Sequence, residues 1–218
     1  MFAVLRRSLV QGSKAIIKPK FLIADFTISN TRKMSKSALI VLSPGSEEME
    51  FTISADVLRR GGVRVVVAGL CGADPVKCSR DVVIVPDTTL EASKGEKFDV
   101  IVLPGGLGGS KAMSESALVG EILKKQEDEG RLIAAICAAP TALAAHCIGL
   151  GKNLTSYPSV KAQLDEKYKY VEDKKVVQDG NLITSRGPGT AFDFALKLVE
   201  VLVSADKAAE VAKGMLWQ

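Results

Sequence analysis

The cysteine at position 137 has the setting of a nucleophile. Cys137 ends the apolar run 132–136 and is followed by Ala138, Ala139 and Pro140. A strand, a sharp turn with small residues and a helix are typical of a nucleophile elbow, here with Cys in place of Ser. Because the thiol would face the positive end of the helix and its free N–H groups, we predict a lowered pKa and a reactive thiolate. The alternative interpretation is a buried structural cysteine.

Glu50 is the predicted partner of this thiol. The acids at 47 and 48 fit the first turn of a helix, where the dipole favours negative charge. Glu50 faces elsewhere around that helix, and we predict that it is partly buried beside an apolar stripe of Met49, Ile53 and Val57. A carboxyl desolvated beside a thiolate would have a raised pKa, stay protonated and donate a hydrogen bond to sulfur.

A glycine run offers backbone donors for the same chemistry. Gly105 and Gly106 follow Pro104 at the end of an apolar run, and glycine permits positive φ and close backbone approach. Their N–H groups could point at an oxyanion formed when Cys137 attacks a carbonyl. Alone the run is unspecific, because it lacks the glycine spacing of dinucleotide sites and the Gly-Lys-Ser/Thr of phosphate loops.

The single histidine and the four cysteines disfavour a catalytic triad and a zinc site. Nine residues along one helix would place His146 about 13 Å from Cys137 and on the opposite side of the axis, which disfavours a Cys-His-acid triad within one chain. We interpret His146 as a polar residue near a helix C-terminus. Free thiols and no zinc site are expected of Cys71, Cys78, Cys137 and Cys147, which are not closely spaced.

Alternating patterns predict the scaffold that positions these residues. Continuous Val, Ile and Leu runs predict strands buried on both faces at 37–42, 63–69, 81–86, 98–106 and 131–137. Amphipathic patterns predict helices at 47–60, 114–127, 138–148 and 190–203, with a short helix closing the chain. Asp179-Gly180 predicts a hairpin within 174–185. Together they predict one doubly wound α/β domain, a mostly parallel sheet sandwiched by helices, with its ligand crevice beyond the carboxyl ends of the strands.

Charge divides the chain of 218 residues into two parts. Residues 1–36 hold eight basic residues and one acid, whereas the domain at 37–218 holds 21 basic and 24 acidic residues. A slightly acidic domain disfavours direct nucleic-acid binding. The basic arm fits a mitochondrial presequence, with a disordered extension or a translation start at Met34 as alternatives. No apolar run reaches the roughly 18 residues of a membrane span.

Six segments resemble the family of parkinsonism-associated deglycases in the ThiJ/PfpI superfamily. They are ALIVLSPGSEEME (38–50), RRGGVRVVVAGL (59–70), DPVKCSRDVVIVPD (74–87), VIVLPGG (100–106), LIAAICAAPTALAAH (132–146) and ITSRGPGTAFDFAL (183–196). The resemblance spans residue 37 to about residue 213. It implies a flavodoxin-like fold of the glutamine-amidotransferase type, a homodimer, and no cofactor or metal.

The resemblance also implies roles for single residues. Cys137 looks like the family's oxidation-sensitive nucleophile, and Glu50 looks like its protonated partner. Gly106 and Ala138 look like the backbone donors around the sulfur, and Cys78 resembles a secondary thiol near the dimer interface.

Two positions depart from the family pattern. Tyr157 stands where members often carry His, which puts a His-assisted step in question although a phenol can still hydrogen-bond. Ala139 stands where Gly is usual, and its methyl group is expected to narrow the pocket.

Two functions follow as hypotheses. The leading one is a cysteine-dependent deglycase and glyoxalase, active on methylglyoxal-type dicarbonyls and on glycated amines or thiols, that protects against oxidative stress. The alternative is a non-catalytic redox sensor and chaperone whose Cys137 is oxidised to sulfinate. Protease or amidotransferase activity, as in the wider superfamily, is disfavoured by the lack of a nearby His. The expected locations are cytoplasm and mitochondrion, with the nucleus as a further one.

Overall fold

A computed structural model describes residues 35–218, so residues 1–34 of the arm predicted at 1–36 lie outside the described residues. The described residues belong to one compact unit. None of their helices combines the length and the apolar character that crossing a membrane requires.

Strands and helices are interspersed along the described residues. The strands are β1 Ser37–Leu42, β2 Arg64–Gly69, β3 Val76–Lys77, β4 Val83–Ile84, β5 Thr88–Thr89, β6 Val100–Leu103, β7 Leu132–Ile136, β8 Asn153–Leu154, β9 Lys169–Tyr170, β10 Val176–Asp179 and β11 Leu182–Ser185. The helices are α1 Glu48–Arg60, α2 Leu90–Ser93, α3 Leu107–Glu115, α4 Ala117–Asp128, α5 Pro140–Ala145, α6 Ala191–Leu202 and α7 Ala205–Gly214. Two short 3-10 helices lie at Pro158–Gln163 and Pro188–Thr190.

Seven strands form a central, mostly parallel sheet in the order β10-β11-β7-β6-β1-β2-β5. The pairings β1 with β2 and β6, β6 with β7, and β7 with β11 are all parallel. The antiparallel pair β10 and β11 is the predicted hairpin, and Gly180 in its turn has φ 59°. This sheet, flanked by helices, confirms the doubly wound, flavodoxin-like prediction.

The core lies on both faces of the central strands. All six residues of β1 are buried, as a strand covered on both sides requires. Helices α1 and α6 pack together with α7 beside α6, while α3 packs on α5 and α4 on β7. Because β1, β6 and β7 are parallel neighbours, their carboxyl ends lie side by side at one edge of the sheet.

The predicted buried strand at 81–86 is wrong. Only Val83–Ile84 is extended, and it pairs with β3 in a separate antiparallel hairpin outside the central sheet. Val82, Val83 and Val85 are 48%, 58% and 67% exposed. The apolar run therefore forms an exposed face of a hairpin. Hydrophobicity alone does not distinguish such a face from a strand buried in the central sheet.

Two predicted helices have different bounds. The pattern at 114–127 is divided at Ser116, whose hydroxyl accepts a hydrogen bond from Val119 N at 3.3 Å and starts α4 as its N-cap. The helix predicted at 138–148 covers only Pro140–Ala145. Beyond it Cys147 and Gly149 have φ 57° and 67°, left-handed conformations that end a helix.

Candidate functional site

The loops after β1 and β6 approach each other through glycine. Gly45 has φ 76°, and a Cβ there would lie 3.2 Å from Gly108 Cα. Gly45 O accepts a hydrogen bond from Gly109 N at 3.2 Å, and Gly105 O accepts one from Glu47 N at 3.0 Å. Side chains at these positions would separate the two loops, so the glycines are needed for the close contact.

Cys137 has the backbone of a nucleophile elbow. Its φ is 64°, a left-handed conformation that costs a non-glycine residue about 1 to 2 kcal/mol. Hydrogen bonds on both sides hold it there: Cys137 N donates to Ser185 O at 3.0 Å, and Cys137 O accepts from Tyr157 N at 2.7 Å. The residue is 8% exposed, so the turn presents the thiol with a narrow opening to solvent.

Glu50 is completely buried, more deeply than the partial burial predicted. Its Oε2 accepts a hydrogen bond from Gly105 N at 2.7 Å. Burial raises the pKa of Glu50 to about 7, against the lowering effects of the Gly105 N–H and the Cys137 side chain.

The predicted apolar stripe is wrong at Met49, which is 53% exposed. Glu47 accepts hydrogen bonds from the backbone N–H groups of Met49 and Glu50 and caps α1.

The prediction of a lowered thiol pKa is wrong. Burial, together with the charge of Glu50, raises the pKa of Cys137 to about 12. The N–H groups of Gly106 and Ala138 lower it, but by less. The sequence pattern predicts the helix that follows the thiol, but it does not show how strongly the thiol is desolvated. That helix, α5, is also only six residues long.

Glu50 and Cys137 therefore form one proton-transfer unit. Burial raises the pKa of both groups, so the site favours the uncharged carboxyl and thiol, and ionisation belongs to the coupled pair. Glu50 Oε1 is buried and accepts no hydrogen bond from any donor among residues 35–218. The Cys137 side chain is nevertheless close enough to lower the pKa of Glu50. Once ionised, Glu50 can take the thiol proton as the sulfur attacks.

The three predicted backbone donors have different positions. The N–H groups of Gly106 and Ala138 point toward the Cys137 sulfur. The N–H of Gly105 is used by Glu50, so Gly105 positions the carboxyl and is not free to bind an oxyanion. Gly106 has φ 83°, and a Cβ there would lie 2.7 Å from Glu47 N.

A cavity of about 460 Å³ opens above the thiol. We call it the catalytic cavity. Its lining comprises Gly45, Glu47, Ser79, Arg80, Gly106, Leu107, Gly108, Cys137, Ala138, Tyr157 and Pro188. Sequence reasoning missed Ser79, Arg80 and Pro188, because it interpreted 81–86 as a buried strand and gave no role to the Gly-Pro-Gly turn at 187–189. Glu48 fixes this hairpin, because its carboxylate accepts hydrogen bonds from Ser79 Oγ and Arg80 N, both at 2.8 Å.

The two departures from the family pattern have different consequences. Tyr157 lines the catalytic cavity with 45% of its surface exposed, which allows its phenol to meet a ligand. Ala139 is fully buried at the start of α5 and is absent from the cavity lining. The expected narrowing of the pocket by Ala139 is therefore not found.

The remaining predicted residues lie outside the catalytic cavity. Cys78 is buried in the β3–β4 hairpin, and burial followed by the charges of Glu48 and Glu47 raises its pKa to about 11. His146 Nε2 lies 2.9 Å from Met113 O, so the imidazole hydrogen-bonds to α3 and not to Cys137. All four cysteines are free, and residues 35–218 hold no group of three or more His, Cys, Asp or Glu side chains suited to a metal ion.

Fold and site define a class: a doubly wound α/β protein whose cysteine stands on an elbow beside a buried glutamate. The chain belongs to the DJ-1/PfpI family, whose model matches residues 36–201. It is 60% identical over 222 residues to protein DJ-1alpha of Drosophila melanogaster, covering 100% of this chain and 98% of the relative. It is 47% identical over 182 residues to the glutathione-independent glyoxalase DJR-1.2 of Caenorhabditis elegans, covering 83% and 96%. The crystal structure of Drosophila melanogaster DJ-1beta matches with a TM-score of 0.84 and 65% identity, covering 85% of this chain and 100% of that one.

Proposed function

We propose that this protein is a cofactor-independent glyoxalase and deglycase that converts methylglyoxal-type dicarbonyls and their adducts to hydroxy acids. The observation that carries the proposal is the pairing of the buried Glu50 carboxyl with the thiol of Cys137, which lines the catalytic cavity. The activity named for the Caenorhabditis elegans relative supports it.

The first step forms a hemithioacetal. The Cys137 sulfur attacks the aldehyde carbon of methylglyoxal while its proton passes to the Glu50 carboxylate, and the carbonyl oxygen gains the electron pair. The N–H groups of Gly106 and Ala138, which face the sulfur, stabilise the charge on that oxygen until Glu50 passes the proton to it and is a carboxylate again.

The second step is an internal oxidation and reduction. The Glu50 carboxylate removes the proton from the former aldehyde carbon and delivers it to the ketone oxygen, which gives an enediol. Glu50 then takes the proton of the hydroxyl on the first carbon and delivers it to the second carbon, so the first carbon is oxidised and the second is reduced. The product is a 2-hydroxy thioester on Cys137. Water then breaks the carbon–sulfur bond, releasing lactate and returning the proton to the thiol, so no external oxidant or reductant is needed.

Adducts enter the same sequence after one bond cleavage. In a carbinolamine or hemithioacetal the bond between carbon and the carrier nitrogen or sulfur breaks, the aldehyde forms again, and the carrier leaves with the proton. Cys137 then captures the aldehyde. Deglycation and glyoxalase activity would thus share one nucleophile and one proton carrier.

Turnover of methylglyoxal and of a glycated amine by wild type, Cys137→Ala and Glu50→Gln tests the proposal. Buffer-amine controls are needed because free dicarbonyl equilibrates with its adducts. We expect Cys137→Ala to fall to the uncatalysed background and Glu50→Gln to lose about 10²- to 10⁴-fold in kcat. Turnover of methylglyoxal by Cys137→Ala at the wild-type rate would refute the proposal.

A redox-sensing and chaperone role is the second candidate, favoured by the unpartnered, buried Oε1 of Glu50. Hydrogen peroxide oxidises the thiol to sulfenate with release of water, and a second peroxide yields sulfinate. A protonated Glu50 could donate a hydrogen bond to the new oxygen. Intact mass after mild peroxide treatment should show two added oxygen atoms on Cys137. Sulfonate or oxidation scattered over several residues would contradict this role.

We also propose that the protein acts as a homodimer. The hairpin residues Val82, Val83 and Val85 are about half exposed or more, and Met49 directly follows the Glu48 that fixes this hairpin. Single exposed apolar residues are normal on a protein surface, whereas several on one hairpin are typical of an interface. The family resemblance supports a second copy of the chain as the partner.

For location we propose cytoplasm and mitochondrion, on the basis of the basic arm at 1–36. N-terminal sequencing of the protein from isolated mitochondria should find the arm removed. A mature chain that still begins at Met1 there would argue against cleavage.

A further inference from the structure

A second cavity of about 460 Å³ adjoins the catalytic one. It lies among α3, α5 and the 3-10 helix Pro158–Gln163, and it shares Leu107 and Ala138 with the catalytic cavity. Leu107 is 70% exposed, so an apolar side chain separates the two spaces without closing either. The polar side chains around the second cavity are Ser110, Lys111, Ser114, Glu115, Thr141, Gln163 and Lys167.

The hydroxyl of Ser110 is the feature that points to a ligand. Ser110 is 2% exposed, and its Oγ finds no hydrogen-bond partner within the described chain. A buried hydroxyl without a partner costs about 1 to 3 kcal/mol, which a bound acceptor would recover. The neighbouring hydroxyls are already used: Ser114 Oγ donates to Ser110 O, and Thr141 Oγ1 donates to Ala138 O, both at 2.8 Å.

The charges around this cavity favour an anion. Lys111 and Lys167 contribute two positive charges and Glu115 one negative charge. Lys167 Nζ donates to Ala144 O at 3.0 Å, which holds the ammonium near the lining. Lys111 Nζ lies 3.9 Å from Glu115 Oε1 in a highly exposed pair, an interaction weak enough for Lys111 to turn toward a ligand. A carboxylate matches both the cations and the Ser110 donor.

We propose that this cavity is a subsite for the carrier part of an adduct, and that it selects carriers with a free carboxylate. The inference rests on the proposed function. The dicarbonyl-derived carbons would lie at Cys137, the chain would pass over Leu107, and the carboxylate would face Lys111. It would accept a hydrogen bond from Ser110 after rotation of that side chain, because the Ser110 Oγ is buried. Substrates of this class are adducts of amino acids or of carboxylate-bearing thiols, and neutral amides of the same carriers bind less well.

Binding of unreactive probes to full-length Cys137→Ala protein tests the subsite without any turnover. The probes are N-acetyl-L-alanine and its neutral analogue N-acetyl-L-alaninamide, measured by NMR titration. We expect the carboxylate to bind at least about fivefold more tightly than the amide. Adding Ser110→Ala or Lys111→Gln should bring this ratio to within about twofold, whereas the exposed control Lys174→Gln should preserve it.

Several results would overturn the proposal of a carboxylate subsite. They are equal binding of the two probes, no binding of either, and a preference that survives both substitutions. Amide shifts confined to the surroundings of Arg80 would also overturn it, since they would place the carboxylate in the catalytic cavity. Failure of the proposed function would look different: wild type would not turn over methylglyoxal, while the probe preference and its loss in Ser110→Ala would remain.

Discussion

Glu50 and Cys137 converge on Gly105, where there is no room for a side chain. A Cβ on Gly105 would lie 2.7 Å from Glu50 Oε2 and 2.6 Å from Cys137 Cβ. The same glycine donates its N–H to Glu50 Oε2 at 2.7 Å. Gly105 thus sets both the hydrogen bonding of the carboxyl and the space in which carboxyl and thiol meet.

The first prediction concerns Gly105→Ala. The added methyl must displace the carboxyl or the elbow, so we expect the free energy of unfolding to fall by about 1 to 3 kcal/mol. We expect kcat/KM for methylglyoxal to fall at least about tenfold, since the reacting groups lose their alignment. Gly95→Ala is the matched control, because a Cβ there meets nothing within 4 Å. Equal losses in both variants would show that Gly105 has no special role.

The second prediction concerns the stability cost of Glu50. Its pKa is about 7 in the folded protein and near 4.5 when unfolded, so the folded state binds the proton more tightly. Stability must then fall as pH rises from about 4.5 to about 7, and above that the buried carboxylate costs about 3 kcal/mol. In urea denaturation, Glu50→Gln should therefore be about 2 to 3 kcal/mol more stable than wild type at pH 8.

The advantage of Glu50→Gln should shrink below pH 7 and vanish near pH 4.5, where wild type is also neutral at this position. The exposed variant Glu115→Gln should show no comparable pH dependence. A constant difference between Glu50→Gln and wild type from pH 5 to pH 8 would mean that Glu50 does not titrate in this range.

The third prediction concerns the pH dependence of catalysis. If the ionised Glu50 takes the thiol proton, kcat/KM for methylglyoxal should rise with pH through an inflection near 7, the raised pKa of Glu50. That inflection belongs to the coupled pair and should be absent from the residual activity of Glu50→Gln. An inflection well below pH 6 would instead indicate that Cys137 is already a thiolate at low pH.

The fourth prediction concerns assembly. Val83→Asp places a charge on the 58% exposed apolar face of the hairpin, which we expect to lie in the dimer interface. Light scattering behind size-exclusion chromatography should show a dimer for wild type and a monomer for Val83→Asp at micromolar concentration, since an unpaired buried charge is costly. Leu150→Asp, which changes another exposed apolar residue, should remain dimeric. A dimeric Val83→Asp would exclude this face as the interface.

Much of the fold could be predicted because its signals are local. A buried strand such as β1, the hairpin turn at Gly180, and the strand-Cys-small-small-Pro order around Cys137 each depend on a few consecutive residues. Residues 81–86 show the limit of this reasoning. Their apolar pattern is the same whether a strand is covered by helices or lies exposed on a hairpin, and only the chain connections decide between the two.

By itself the sequence determined which residues could do chemistry: a cysteine on an elbow, an acid in the first turn of α1, and glycines after β6. The tertiary structure decided their protonation and their neighbours. Glu50 meets the N–H of Gly105 across 55 residues of sequence, and its burial raises its pKa and reverses the expectation for Cys137. Desolvation is the sum over all atoms that surround a group, so it exists only once distant segments have packed together.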